Sequence, residues 1–125
     1  MPRSNMDRYL AHMAKKRAPA VAEAERLVHD DHFDEAEQTI LRVENSIYAV
    51  VDLAALYRRR LEQLVAEEDG TASKSRREAV FRRALDWAQR AYPEPHTAIE
   101  AAQYESGRAE DHAQLVRILG YDPRE

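Results

Sequence analysis

Across residues 33–64 the apolar positions fall on Phe33, Ala36, Ile40, Val43, Ile47, Val50, Ala54, Tyr57, Leu61 and Leu64. Steps of three and four residues alternate, which puts these side chains on one face of a helix that packs in a seam like that of a coiled coil. Neither Gly nor Pro interrupts the run. The spacing therefore predicts one long central helix over about 33–68, roughly 50 Å at 1.5 Å per residue. Asn45 and Ser46, poor helix formers and good caps, mark its weakest point and a place for a kink. The stretch 47–57 is apolar on nearly all sides except at Asp52, as expected of a segment with several neighbours.

The flanking pattern is also helical. Ser4 with Asp7 starts a first helix carrying Met6, Leu10 and Met13, and Pro19 predicts a break near Ala18. A second segment over about 19–29 places Val21, Ala24, Leu27 and Val28 on one face, and Asp30, Asp31 and His32 form a turn. Glu67, Glu68, Asp69 and Gly70 end the long helix, Gly70 in a left-handed conformation. Ser75 with Glu78 opens a helix that buries Val80, Phe81, Ala84, Leu85 and Trp87 and stops at Pro93 and Pro95. Thr97 with Glu100 begins a short helix over about 98–105, and Gly107 separates it from a last helix over 109–119 that Gly120 closes. With short connections throughout, the expectation is an all-α fold, an antiparallel helical bundle of five to six helices in a single domain spanning 1–125.

Composition agrees with helix and narrows the chemistry. Charged residues make up 34% of the chain, glycines number three, and cysteine is absent. The last point removes disulfides, thiolate zinc sites and cysteine catalysis. The net charge of −4 conceals a basic stretch over 1–22, an acidic one over 23–52, a basic one over 53–90 and an acidic one over 91–125. Alternating blocks suit neighbouring helices that attract one another. The opening residues hold no apolar core of signal-peptide length, and nothing approaches about 18 uncharged residues, so a cytoplasmic protein without a membrane span is expected.

Four groups of residues are candidates for function. His29, Asp30, His32 and Asp34 bring imidazole and carboxylate ligands within a few positions, a donor set suited to zinc, manganese or iron. Capping and solvation of a helix end call for the same residues. Arg58, Arg59, Lys74, Arg76 and Arg77 form a basic patch for phosphates, with pairing to the acidic block as the competing use. Leu41, Tyr48, Leu53 and Leu56 lie off the main seam and are candidates to meet a protein partner or a second copy of the chain. Trp87, Tyr92, Tyr104 and Tyr121 are either core or the lining of a groove. The favoured reading is a non-enzymatic interaction module with no cofactor, bound to a protein partner or to itself. A small metal-dependent hydrolase and a nucleic-acid-binding accessory protein are the alternatives.

Two resemblances bear on this choice. Residues 29–43, with Phe33, Ala36, Ile40 and Val43 at the aromatic, small and apolar places, resemble the second-helix half of a tetratricopeptide repeat. Residues 107–119, preceded by Ala101 and Tyr104, are a looser second match. The resemblance implies helical hairpins over about 20–45 and 97–119 and a concave surface for peptides or proteins. The His29-Asp30 pair resembles the dyad of the HD phosphohydrolases, which implies His12 upstream and Asp86 or Asp111 as distant metal ligands.

Overall fold

The computed structural model describes residues 4–67, 70 and 72–124, and among them there are five helices and no strand. The protein is all-α. No described helix is long and apolar enough to cross a membrane. The chain divides into two compact units, residues 1–49 and 50–125.

In the first unit, α1 (Asn5–His29) and α2 (Phe33–Leu41) form a hairpin. The Ser4 hydroxyl accepts the Asp7 N–H at 3.0 Å and starts α1. The predicted break near Ala18 does not occur, and α1 runs through Pro19. Proline deprives the carbonyl four residues back of its donor. Here Lys15 and Pro19 are both exposed, so water can take up that carbonyl. Ala20, Ala24 and Val28 recur every four residues on the buried face, and Ala36 and Ile40 are the buried residues of α2. Small side chains at these places let two helix axes come close.

The turn between them is a Schellman closure. His32 N–H donates to Leu27 O at 2.8 Å and Asp31 N–H to Val28 O at 3.0 Å, with Asp31 at φ 64. Aspartate tolerates that left-handed conformation better than most side chains.

The expected continuous helix over 33–68 is two helices, α2 and α3 (Ile47–Val65), because residues 42–46 leave the helical path. Ser46 is the reason on the α3 side: its hydroxyl accepts the Tyr48 N–H at 3.2 Å, as a cap does. On the other side, Glu44 N–H still donates to Ile40 O at 3.2 Å, so the helical pattern fades over a few residues. The Glu44 carboxylate pairs with Arg17 of α1, both side chains about nine-tenths buried, and the Arg17 guanidinium also lies 5.7 Å from the centre of the Tyr48 ring. Of the residues expected to end the long helix, Glu68 and Asp69 lie outside the described residues, and Gly70 takes the left-handed conformation at φ 62.

The second unit holds the rest of α3 with α4 (Lys74–Arg90) and α5 (Ala98–Leu119). Ser73, rather than Ser75, caps α4, accepting the Arg76 N–H at 3.1 Å. Thr97 and Gly120 cap α5 as the sequence predicts. Contacts between α4 and α5 move outward from their connection, from Tyr92 with Tyr104 through Gln89 with Arg108 to Glu78 with Tyr121, which makes the pair antiparallel. Leu53, Leu56, Tyr57, Leu61, Leu64, Val80, Phe81, Leu85, Trp87, Leu115 and Leu119 are the large buried side chains. Each such apolar side chain contributes about 1.5–3 kcal/mol when taken out of water.

In place of the two short helices expected over 98–119, in the arrangement of a second hairpin, α5 is unbroken across Gly107. The glycine has another use. A Cβ there would lie 2.6 Å from the Tyr92 hydroxyl and 2.7 Å from its ring, so the missing side chain is what lets Tyr92 lie against the helix.

Candidate functional site

The candidate metal residues are all exposed: His29 ends α1, Asp30 and His32 belong to the turn after it, and Asp34 lies in the first turn of α2. His29 Nδ1 lies 3.7 Å from Asp30 Oδ1. Among the described residues no group of three or more histidines and carboxylates is placed to hold a metal ion. The phosphohydrolase likeness implies His12 and Asp86 or Asp111 as further ligands. Asp86 pairs with Arg90 at 2.9 Å, Asp111 accepts the Tyr92 hydroxyl at 2.7 Å, and His12 is exposed on α1. The backbone hydrogen bonds of Asp31 and His32 make the cluster part of a helix closure.

The basic patch separates into parts with different surroundings. Arg58 is 3.9 Å from Glu62 and lines a groove with Gln114, Arg117 and Ile118 of α5. Arg59 is exposed, whereas the neighbouring Arg60 turns inward and donates to Gln63 at 3.3 Å. Lys74 is 4.0 Å from Glu78 and 5.7 Å from the centre of the Tyr121 ring. Arg76 is exposed, and Arg77 donates to the Ala72 carbonyl at 2.7 Å. Consecutive arginines on a helix spread around its circumference, as a 3.6-residue turn requires.

Of the four candidate partner residues, Leu53 and Leu56 are core, at 0% and 2% exposure, and cannot meet a partner. The buried stripe of α3 is wider than one seam: Ala49, Leu53, Leu56, Tyr57, Leu61 and Leu64 are all enclosed. Leu41 is half-buried, and Tyr48 is 43% exposed. The apolar side chains that α3 does offer to solvent begin at Ile47 and Tyr48 and include Val51 at 50% exposure.

Val51 stands at an apolar groove of about 200 Å³ among α3, α4 and α5. Ala54, Ala55, Ala84, Ala88 and Leu115 line it, and Arg58, Asp111 and Gln114 are its polar members. The groove exists because alanines on α3 and α4 occupy less space than the larger side chains on either side.

A second, larger cavity of about 560 Å³ lies along α4 and α5, lined by Arg82, Leu85, Asp86, Gln89, Arg108, Ala109, His112 and Arg124. Nothing in the sequence pattern singles out these residues as a group. On α4, Arg82, Leu85, Asp86 and Gln89 have the spacing of one helix face, as do Arg108 and His112 on α5. Bringing the two faces together requires the register of the hairpin, which no local pattern encodes.

The aromatic residues are structural. Trp87 is buried beneath the Arg90 guanidinium, 4.3 Å from its ring centre, and its indole N–H has no hydrogen-bond partner among the described residues. Tyr92 and Tyr104 pack with ring centres 5.9 Å apart. Burial, then the hydrogen bond to Asp111 and that carboxylate's charge, push the Tyr92 hydroxyl up to about 12. The Tyr121 hydroxyl donates to Glu78 at 2.8 Å. No known protein family, curated protein or solved structure matches the chain.

Proposed function

We propose that this chain is a non-enzymatic helical module that binds another protein, or a second copy of itself, through apolar surface on α3. The observation that carries the reading is Val51, half exposed beside an alanine-lined groove. Leaving a β-branched side chain in water forgoes roughly the free energy its burial would contribute, and partner binding recovers it. The likeness of residues 29–43 to a tetratricopeptide half-repeat supports the same reading, and the end of α2 at Leu41 keeps that segment a short helix of its own.

Val51→Asp tests this. Light scattering at the highest soluble concentration, with affinity capture from the native host, is run on both forms. The expected result is an association or retained partner that the variant loses while its helical circular dichroism is kept. A wild-type chain that stays monomeric and retains nothing beyond what Val51→Asp retains overturns the reading.

A further inference from the structure

The cavity along α4 and α5 has a charge that the alanine-lined groove lacks. Arg82 on α4, Arg108 on α5 and Arg124 after α5 converge on it, with Gln89 and His112 as further donors. Leu85, 7% exposed, and Ala109 give it an apolar floor. Three guanidinium groups share this cavity with one carboxylate, Asp86, and Arg90 holds that carboxylate at 2.9 Å.

The other nearby acids are also occupied. Glu78 approaches Arg82 only to 3.7 Å while it accepts the Tyr121 hydroxyl at 2.8 Å and faces Lys74 at 4.0 Å. Asp122 lies 3.0 Å from His112 Nε2, off the line of an aligned hydrogen bond. Asp111 takes the Tyr92 hydroxyl. Arg108 spends one N–H on the Tyr92 carbonyl at 3.4 Å, and the Arg124 side chain pairs with no described residue. Three guanidinium groups brought together repel one another, only Arg82 among them has a described carboxylate near it, at 3.7 Å, and an oxyanion from outside lowers that repulsion.

We propose that this groove binds an acidic peptide segment of a partner protein. Arg82, Arg108 and Arg124 take its carboxylates, and one of its apolar side chains rests on Leu85 and Ala109. A nucleic-acid strand fits less well, because the apolar floor at Leu85 and Ala109 suits an aliphatic side chain between the charges and gives a row of phosphates nothing to contact. A single phosphate ion would fill little of about 560 Å³. The proposal goes beyond the apolar contact above and rests on that reading only in expecting a protein partner.

Fluorescence anisotropy with a labelled Asp/Glu/Leu peptide is the test, with a labelled thymidylate oligonucleotide of equal charge and inorganic phosphate alongside. Arg82 and Arg124 are exposed, so the double variant Arg82→Glu, Arg124→Glu keeps the fold, as circular dichroism checks. The expected result is peptide binding that weakens with salt and falls about tenfold or more in the variant. Equal binding by the variant, no binding by the wild type at low salt, or tighter binding of the oligonucleotide or of phosphate than of the peptide overturns the proposal. Its failure leaves the Val51 experiment standing, since the two share no residue.

Discussion

Residues 42–46 and residue 107 both put poor helix formers inside long apolar patterns, yet the chain breaks at the first and runs straight through the second. At the joint, Ser46 supplies a cap for α3, a partner that a continued helix would not use, and Glu44 pairs with Arg17 on the facing helix. At Gly107 the gain lies in staying helical, because the bare Cα admits the Tyr92 ring and Asp111, one turn on, accepts its hydroxyl. Helix propensity differs by about 1 kcal/mol between glycine and alanine, a difference small enough for the tertiary surroundings of the residue to override. What a weak helix former does therefore depends on the side chain that meets it.

The largest effect expected from breaking this contrast is at the joint. Glu44→Ala takes away the carboxylate that faces the buried Arg17 guanidinium, and a loss of about 3 kcal/mol of stability follows. Chemical denaturation measures it. The pairing, rather than mere bulk, is tested by Arg17→Met with Glu44→Leu, which restores packing without charge and should return most of the loss. If Glu44→Ala costs no more than an exposed ion pair, up to about 1 kcal/mol, the ion pair does not hold the joint.

Gly107→Ala comes next and has the opposite sign from propensity. An exposed helical glycine replaced by alanine gains about 1 kcal/mol. Here the new methyl meets Tyr92, and a net loss of about 1–3 kcal/mol is expected from overpacking. In a Tyr92→Ala background the same substitution should become stabilising, and a double-mutant cycle reads the reversal. A stabilising Gly107→Ala in the wild-type chain would show that the ring yields without cost.

These two sites also mark where the sequence is legible. The caps at Ser4, Thr97 and Gly120 can be read from it because each depends on residues within a few positions. Pro19 and Gly107 look like breaks in the sequence, but their tolerance depends on which side faces water and which faces Tyr92. Leu53 and Leu56 pass for partner contacts only if α3 has one seam, and it is enclosed over a wider arc. The capping use of the His29–Asp34 cluster is written in the sequence, and the backbone hydrogen bonds of Asp31 and His32 give its geometry. The arginine-lined cavity is out of the sequence's reach, since Arg82, Arg108 and Arg124 are brought together only by the pairing of α4 with α5 and the turn after it.

The smallest expected effect separates the two sites by pH. In the folded chain the Tyr92 hydroxyl is raised from 10.0 to about 12, first by burial and then by its hydrogen bond to Asp111 and that carboxylate's charge. Between those values the folded state keeps a proton that the unfolded state has lost, so stability falls as pH rises. The contribution is fully present below pH 10, declines from about 10 to about 12 and is gone above that. With solvent screening at this half-buried ring it amounts to about 1–2 kcal/mol. Tyr104 and Tyr121 are raised in the same direction, each by burial together with a hydrogen bond to a glutamate and that glutamate's charge, so the wild-type decline has several parts. Tyr92→Phe should remove the Tyr92 share alone, flattening the alkaline limb of a denaturation series without abolishing it. An unchanged limb would mean that the hydroxyl is not held by Asp111, and that Gly107 admits a ring whose packing, without its hydrogen bond, keeps α5 in one piece.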